Sequence, residues 1–214
     1  MEFLKTRFTE LMVEANTFVL NAFKHWLFCP GMLFDSPGKW WGDHGRRDFP
    51  HEGLDFCLFK GQSGKIMRLD QNTRIPVIQD GVVRAIFADY LGRALIVEHE
   101  DGRNDNRRWL SVYAHTTPLE GIAPGVVLTK GTVIATIADT SQSKARIFPH
   151  LHVSLGLPSP QLSFDNFVWN RMRDPGLVAL LDPLVIVERH YQVLENCSED
   201  QLLGFTSSTQ PALG

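Results

Sequence analysis

The sequence predicts a mostly β protein: a compact antiparallel β-sandwich or small barrel, with an N-terminal amphipathic helix before it and a few short helical turns after it. Three observations lead there. Between residues 52 and 157, short runs rich in Val, Ile, Phe and Tyr alternate with turn residues, and no helix of ordinary length fits among them. Ahead of this stretch, apolar residues recur at spacings of three and four. Past Pro160 the pattern loosens.

In chain order, Leu4, Phe8, Leu11, Met12, Ala15, Phe18, Val19, Ala22, Phe23 and Trp26 draw one stripe along a helix within residues 1–29. Cys29-Pro30-Gly31 ends it, since proline cannot continue a helix. Residues 30–50 form a Gly-, Pro- and Trp-rich loop, and the adjacent Trp40 and Trp41 imply order in it. Strands are expected within 75–87 after the turn Gln79-Asp80-Gly81, at 93–99, at 109–115, on either side of Lys130-Gly131, and at 151–157. The polar stretch 100–106 reads as a hairpin loop. Residues 165–172 and 174–181 read as short helical turns, and 184–187 as a last strand. The body of the protein thus covers residues 51–190, and 191–214 form a tail that reads as mobile beyond Glu195.

Bulk properties narrow the function classes. A net charge of −3, mixed along the chain with no basic stripe, argues against a nucleic-acid partner. No run approaches the roughly 18 apolar residues of a membrane span. Glu2, Lys5, Arg7, Glu10 and Glu14 interrupt the N-terminal apolar positions, so no signal peptide is visible and the location stays open. Three cysteines cannot all pair within one chain and lack the doubled C-x-x-C of a structural zinc site; they read as buried or idle thiols. A monomer is expected.

Chemistry concentrates in the histidines. His51 and Asp55 form H-x-x-x-D where the loop meets the first strand, and His150 and His152 form H-x-H at the start of a late one. Along a strand, residues two or four apart share a face. Two imidazoles and a carboxylate on convergent strands make a three-ligand set, the number catalytic zinc takes while keeping one position open. The spacing alone also fits scattered surface or core histidines.

The order of motifs adds to this. His51-Glu52-Gly53-Leu54-Asp55, Ile75-Pro76-Val77 with Asp80-Gly81-Val82-Val83, Val97-Glu98-His99-Glu100-Asp101-Gly102, Tyr113-Ala114-His115, Pro124-Gly125-Val126-Val127 with Lys130-Gly131, Pro149-His150-Leu151-His152 and Asp182-Pro183 follow one another over residues 51–188. This succession resembles the lysostaphin/LytM-type zinc endopeptidases, which cut peptide cross-links in bacterial peptidoglycan. The resemblance implies a metallopeptidase core in which His51, Asp55 and His152 bind one zinc ion per chain. It implies that His115 and His150 are catalytic and not ligands, and that the substrate is a peptide or peptidoglycan stem peptide in the cell envelope.

Departures from the pattern are Thr116 after His115, a stretch 138–148 that carries Gln142, Lys144 and Arg146 in place of glycines, and Val153-Ser154-Leu155, expected to be neutral. His99, His25 and His190 read as structural or solvated. Trp40 and Trp41 either fill space beneath the loop or stack on substrate, and Tyr113 either packs or reaches the site. His44 is a candidate substrate contact. Arg46 and Arg47 are either solvated or meet an acidic stem peptide.

Two other functions remain open at this level. One is a non-catalytic LytM-like binding or regulatory module, which would be expected to lose ligands that this chain keeps. The other is a biotinyl or lipoyl carrier hairpin over 124–137, which would need Lys130 at an exposed turn between hydrophobic flanks.

Overall fold

A computed structural model describes residues 6–16, 23–100, 107–143, 147–188, 190–195, 197, 202 and 204–207. Its architecture is mostly β. The larger sheet contains β2 (Leu54–Phe56), β5 (Arg74–Pro76), β6 (Gly81–Ala88), β7 (Arg93–Glu100), β8 (Arg108–Pro118), β9 (Val127–Leu128), β10 (Val133–Ile137), β11 (Leu151–Pro158) and β12 (Val178–Leu181). Along its main path the order is β12-β11-β8-β7-β6-β9, with β2 on β11 and with β10 on β5 and β8, all antiparallel.

Strand β7 shows why this sheet is central. Residues from Ala94 to His99 are all buried, the signature of a strand covered on both faces. Alternate residues feed two separate cores. Leu95 and Val97 pack with Trp26, Phe28, Phe56 and Phe59, whereas Ala94 and Ile96 pack with Phe167, Met172 and Val178. The second cover comes from residues around the one-turn helix Trp169–Met172.

The first cover is a smaller sheet ordered β13-β1-β3-β4-β14, from β1 (Phe23–Phe28), β3 (Leu58–Gly61), β4 (Ile66–Arg68), β13 (Tyr191–Val193) and β14 (Thr206–Ser207). Its β1–β13 and β4–β14 pairs are parallel, unlike the expected antiparallel arrangement. Helix α1 (Phe8–Ala15) buries Phe8 and Met12, four residues apart on one face.

Several expectations are corrected. The apolar stripe does not make one helix through residue 29: α1 ends at Ala15, and residues 23–28 form a strand. Phe23 and Trp26, three apart, satisfy a helical spacing by accident, but Trp26 and Phe28, two apart, share one face of a strand and both pack edge-on against Phe56 at 5.1 and 5.5 Å. Residues 178–181 are strand β12, and Pro183–Ile186 is a 3-10 turn capped by Asp182, so the strand expected at 184–187 is absent. Strands β9 and β10 flank Lys130-Gly131 but pair with other strands. Cys29 and Cys197 form a disulfide with Cα atoms 5.7 Å apart, which corrects the reading of idle thiols; Cys57 is free and buried. His25 lies on β1, not on a helix. The expected loop at 101–106 and most of the tail lie outside the described residues, while Thr206–Ser207 pairs with β4.

Candidate metal centre

Strand register builds the site. Asp55 on β2 lies directly opposite His152 on β11, so both side chains leave the sheet on one face. His51 lies three residues before β2. Gly53, between His51 and Asp55, allows this approach: a Cβ there would stand 2.6 Å from His152 Nε2. The glycine of H-x-G-x-D is therefore a spatial requirement.

The three candidate donors form a tight triangle. His51 Nε2 is 3.1 Å from His152 Nδ1 and 3.2 Å from Asp55 Oδ1, and His152 Nδ1 is 2.9 Å from Asp55 Oδ1. Tetrahedral zinc with bonds of about 2.0–2.1 Å separates its donors by about 3.3 Å, so the observed edges suit such an ion with a slight outward movement. All three residues are buried.

The outer atoms of these groups are engaged as well. A carbonyl only accepts, so His51 Nδ1 donates to Leu33 O at 3.0 Å and leaves Nε2 with its lone pair inward. His152 Nε2 meets the Ser154 hydroxyl at 2.9 Å. Asp55 Oδ2 accepts from Trp40 Nε1 at 2.7 Å, and the Arg47 guanidinium stands 3.6 Å away. Such outer contacts orient ligands and tune their donor strength. Burial pushes the Asp55 carboxyl up, but the imidazoles of His51, His150 and His152 around it hold it well below its ordinary value.

His115 and His150 adjoin the triangle. His150 Nδ1 donates to Phe148 O at 2.8 Å, which leaves Nε2 inward, 3.8 Å from Asp55 Oδ1. Burial pushes its imidazole down to about 3 against the upward pull of Asp55. His115 reaches the same groove through a β-bulge. Arg93 pairs with Thr116 and Leu95 with Tyr113, so Ala114 and His115 together oppose Ala94. His115 has φ +60, a strained value for a residue with a side chain. Its ring lies 4.7 Å from that of His150 and 5.7 Å from that of His152. Tyr113, on the same strand, is buried and its hydroxyl accepts from Ile78 N at 2.8 Å.

The groove has a volume of about 390 Å³, within the range of ligand sites. Trp41, Tyr90, Phe49 and Trp169 line it with Lys39, Arg47 and Arg173. Trp41 and Tyr90 stack across its rim at 6.5 Å. His44 is exposed and does not line the groove. Arg47 donates to Gly38 O and Gly31 O and is tied to the loop rather than solvated. His99 is fully buried, bonded to Asp80 O and the Ser111 hydroxyl. Lys144 and Arg146 lie outside the described residues, whereas Ile147 lines the groove.

Sequence reasoning passed over four contributors: the indole of Trp40 on Asp55, the Ser154 hydroxyl on His152, the Glu52–Arg173 pair at 2.8 Å, and Asp89 beside His115. Only Ser154 carried a signal, as a polar residue two positions past a candidate ligand and on the same strand face.

The family described as Peptidase family M23 matches residues 51–160, half of the chain. Among solved structures, the catalytic domain of the prophage-encoded M23 protein EnpA from Enterococcus faecalis is 17% identical with a TM-score of 0.38, over 59% of this chain and 86% of that one. Lysostaphin is 17% identical with a TM-score of 0.43, over 77% of this chain and 51% of its own. A zinc-containing peptidase from Vibrio cholerae is 21% identical with a TM-score of 0.38, over 76% of this chain and 39% of its own. The chain therefore spans about half of lysostaphin and less of the Vibrio peptidase. No curated protein matches the chain at a significant level.

Proposed function

Because the chain belongs to peptidase family M23, we propose that it is a zinc-dependent endopeptidase that hydrolyses peptide cross-links of bacterial peptidoglycan. On this reading His51, Asp55 and His152 hold one zinc ion per chain, and His115 and His150 are the catalytic histidines. The observation that carries it is the triangle of three buried donors, 2.9–3.2 Å apart, each oriented from behind by a further contact. Zinc in such a site supplies a Lewis acid that polarises a carbonyl and makes water a stronger acid.

The remaining chemistry falls to the chain. His150 Nε2 and the His115 ring face the groove beside the triangle and can take up or return a proton as an amide is attacked and its amine leaves. Charged imidazole also stabilises negative charge on the tetrahedral carbon's oxygen. The aromatic lining of Trp41, Tyr90, Phe49 and Trp169 holds an extended peptide and thins the water around the scissile bond.

The test uses the purified chain, stripped with a chelator and then reloaded with zinc. Cross-linked muropeptides should be cut by the reloaded protein and left intact by the stripped one. Stripped protein as active as the reloaded form contradicts the proposal. Zinc-loaded protein that retains muropeptides without cutting any of them favours the non-catalytic module.

A further inference from the structure

Asp89 lies outside every motif of the metal centre, yet its carboxylate is fully buried beside a groove histidine. It opens the four-residue turn 89–92 that joins β6 to β7. Oδ1 accepts from Leu91 N at 2.8 Å and from Gly92 N at 2.7 Å, which suffices to cap that turn. Oδ2 does something else: it accepts from the backbone N of His115 at 2.6 Å, at the bulge in β8. Oδ1, besides capping the turn, stands 3.3 Å from His115 Nδ1. That nitrogen is sealed from solvent, and it has no other partner among the described residues. A separation of 3.3 Å is slightly long for a settled hydrogen bond, as is common for catalytic bonds before substrate tightens them.

From this geometry we infer that Asp89 is a positioning residue for His115: it fixes the bulge that turns the ring into the groove and holds the ring as the Nδ1–H tautomer, with the Nε2 lone pair toward the substrate. The inference rests on the peptidase reading for its kinetic consequence, but not for the tautomer.

Three features support it. A bulge residue with φ +60 needs something to hold it there, and the 2.6 Å bond to its N–H does so. A carboxylate accepts only, so Nδ1 must carry the proton that faces it. Burial pushes the Asp89 carboxyl up, but its bonds from His115 pull it below the usual carboxylate range, so it is ionised whenever His115 takes up a proton. A buried carboxylate behind an imidazole is the arrangement that orients the histidine of a catalytic triad and stabilises its cation.

The experiment uses the full chain loaded with zinc, and Asp89→Ser, whose hydroxyl still caps the 89–92 turn but is too short to reach His115. Long-range nitrogen–proton NMR correlations, assigned with His115→Ala, should show His115 as Nδ1–H in the wild type and as a tautomer mixture in Asp89→Ser. In muropeptide hydrolysis, Asp89→Ser should lower kcat by about 10²–10⁴-fold, the span of an acid–base contribution, with KM and zinc content little changed. In a His115→Ala background the same substitution should have no further effect on kcat. A wild-type His115 found as Nε2–H overturns the inference whether or not the protein cuts peptides. Multiplicative losses in the double variant also overturn it, by assigning Asp89 a role in the turn alone. Wild-type protein that binds zinc without hydrolysing any peptide counts against the peptidase reading, and the tautomer still decides this one.

Discussion

At Asp55 two requirements meet on one side chain. Oδ1 belongs to the donor triangle, while Oδ2 is held by the Trp40 indole at 2.7 Å. Trp40 is 2% exposed, so it both fills space beneath the loop and fixes the carboxylate's orientation. Replacing it with Phe keeps most of the volume and removes the N–H. We expect Trp40→Phe to fold and to bind zinc about 10–100-fold more weakly, the usual effect of losing an outer contact to a ligand. Competition against a chromophoric chelator measures this, and an unchanged affinity would show that the indole only packs. The candidate ligands were singled out by the ordered succession of motifs, since H-x-x-x-D and H-x-H by themselves also fit scattered histidines. Trp40 and Asp89 were not, because their contacts to Asp55 and His115 span 15 and 26 residues without any motif.

Among the elements, the central strands β7, β8 and β11 were the most legible, since each carries several β-branched, aromatic or Leu residues within a run bounded by turn residues. The N-terminal segment misled because the helical spacing runs on by chance through Phe23 and Trp26, whereas the consecutive buried residues Trp26, Leu27 and Phe28 belong to a strand. Partner strands decide between them, and they come from β3 and β13, far along the chain.

His99 on strand β7 is expected to make the fold pH-sensitive. His99 is buried against Trp109 at 4.1 Å, and burial pushes its imidazole down to about 4 from 6.5. The folded protein keeps His99 neutral while the unfolded chain gains a proton below pH 6.5. Its contribution is therefore complete above that pH and is lost as pH falls toward 4. The loss should reach about 2 kcal/mol at pH 5. Urea unfolding of the wild type and of His99→Gln at pH 7.5 and 5 should show a smaller drop for the variant. Parallel drops would mean that His99 does not carry the effect.

Across the whole molecule, both faces of the larger sheet are covered, and each cover also contributes to the groove. The small sheet leads through Cys29 into the loop that supplies Leu33 O to His51, Trp40 to Asp55 and Trp41 to the rim. The Cys29–Cys197 bridge ties that loop's start to a residue 168 positions away, and disulfides typically stabilise by about 2–4 kcal/mol. The other cover supplies Trp169, whose ring stands 5.6 Å from that of His152, and Arg173, which pairs with Glu52. The site is thus assembled from residues spread over more than half of the chain, and the proposed division of labour falls between two histidines two residues apart. Bound zinc per chain, measured by mass spectrometry alongside muropeptide hydrolysis, tests that division in His150→Ala and His152→Ala. His150→Ala is expected to keep about one zinc and lose activity, while His152→Ala loses both. Zinc lost from His150→Ala and kept by His152→Ala would contradict it.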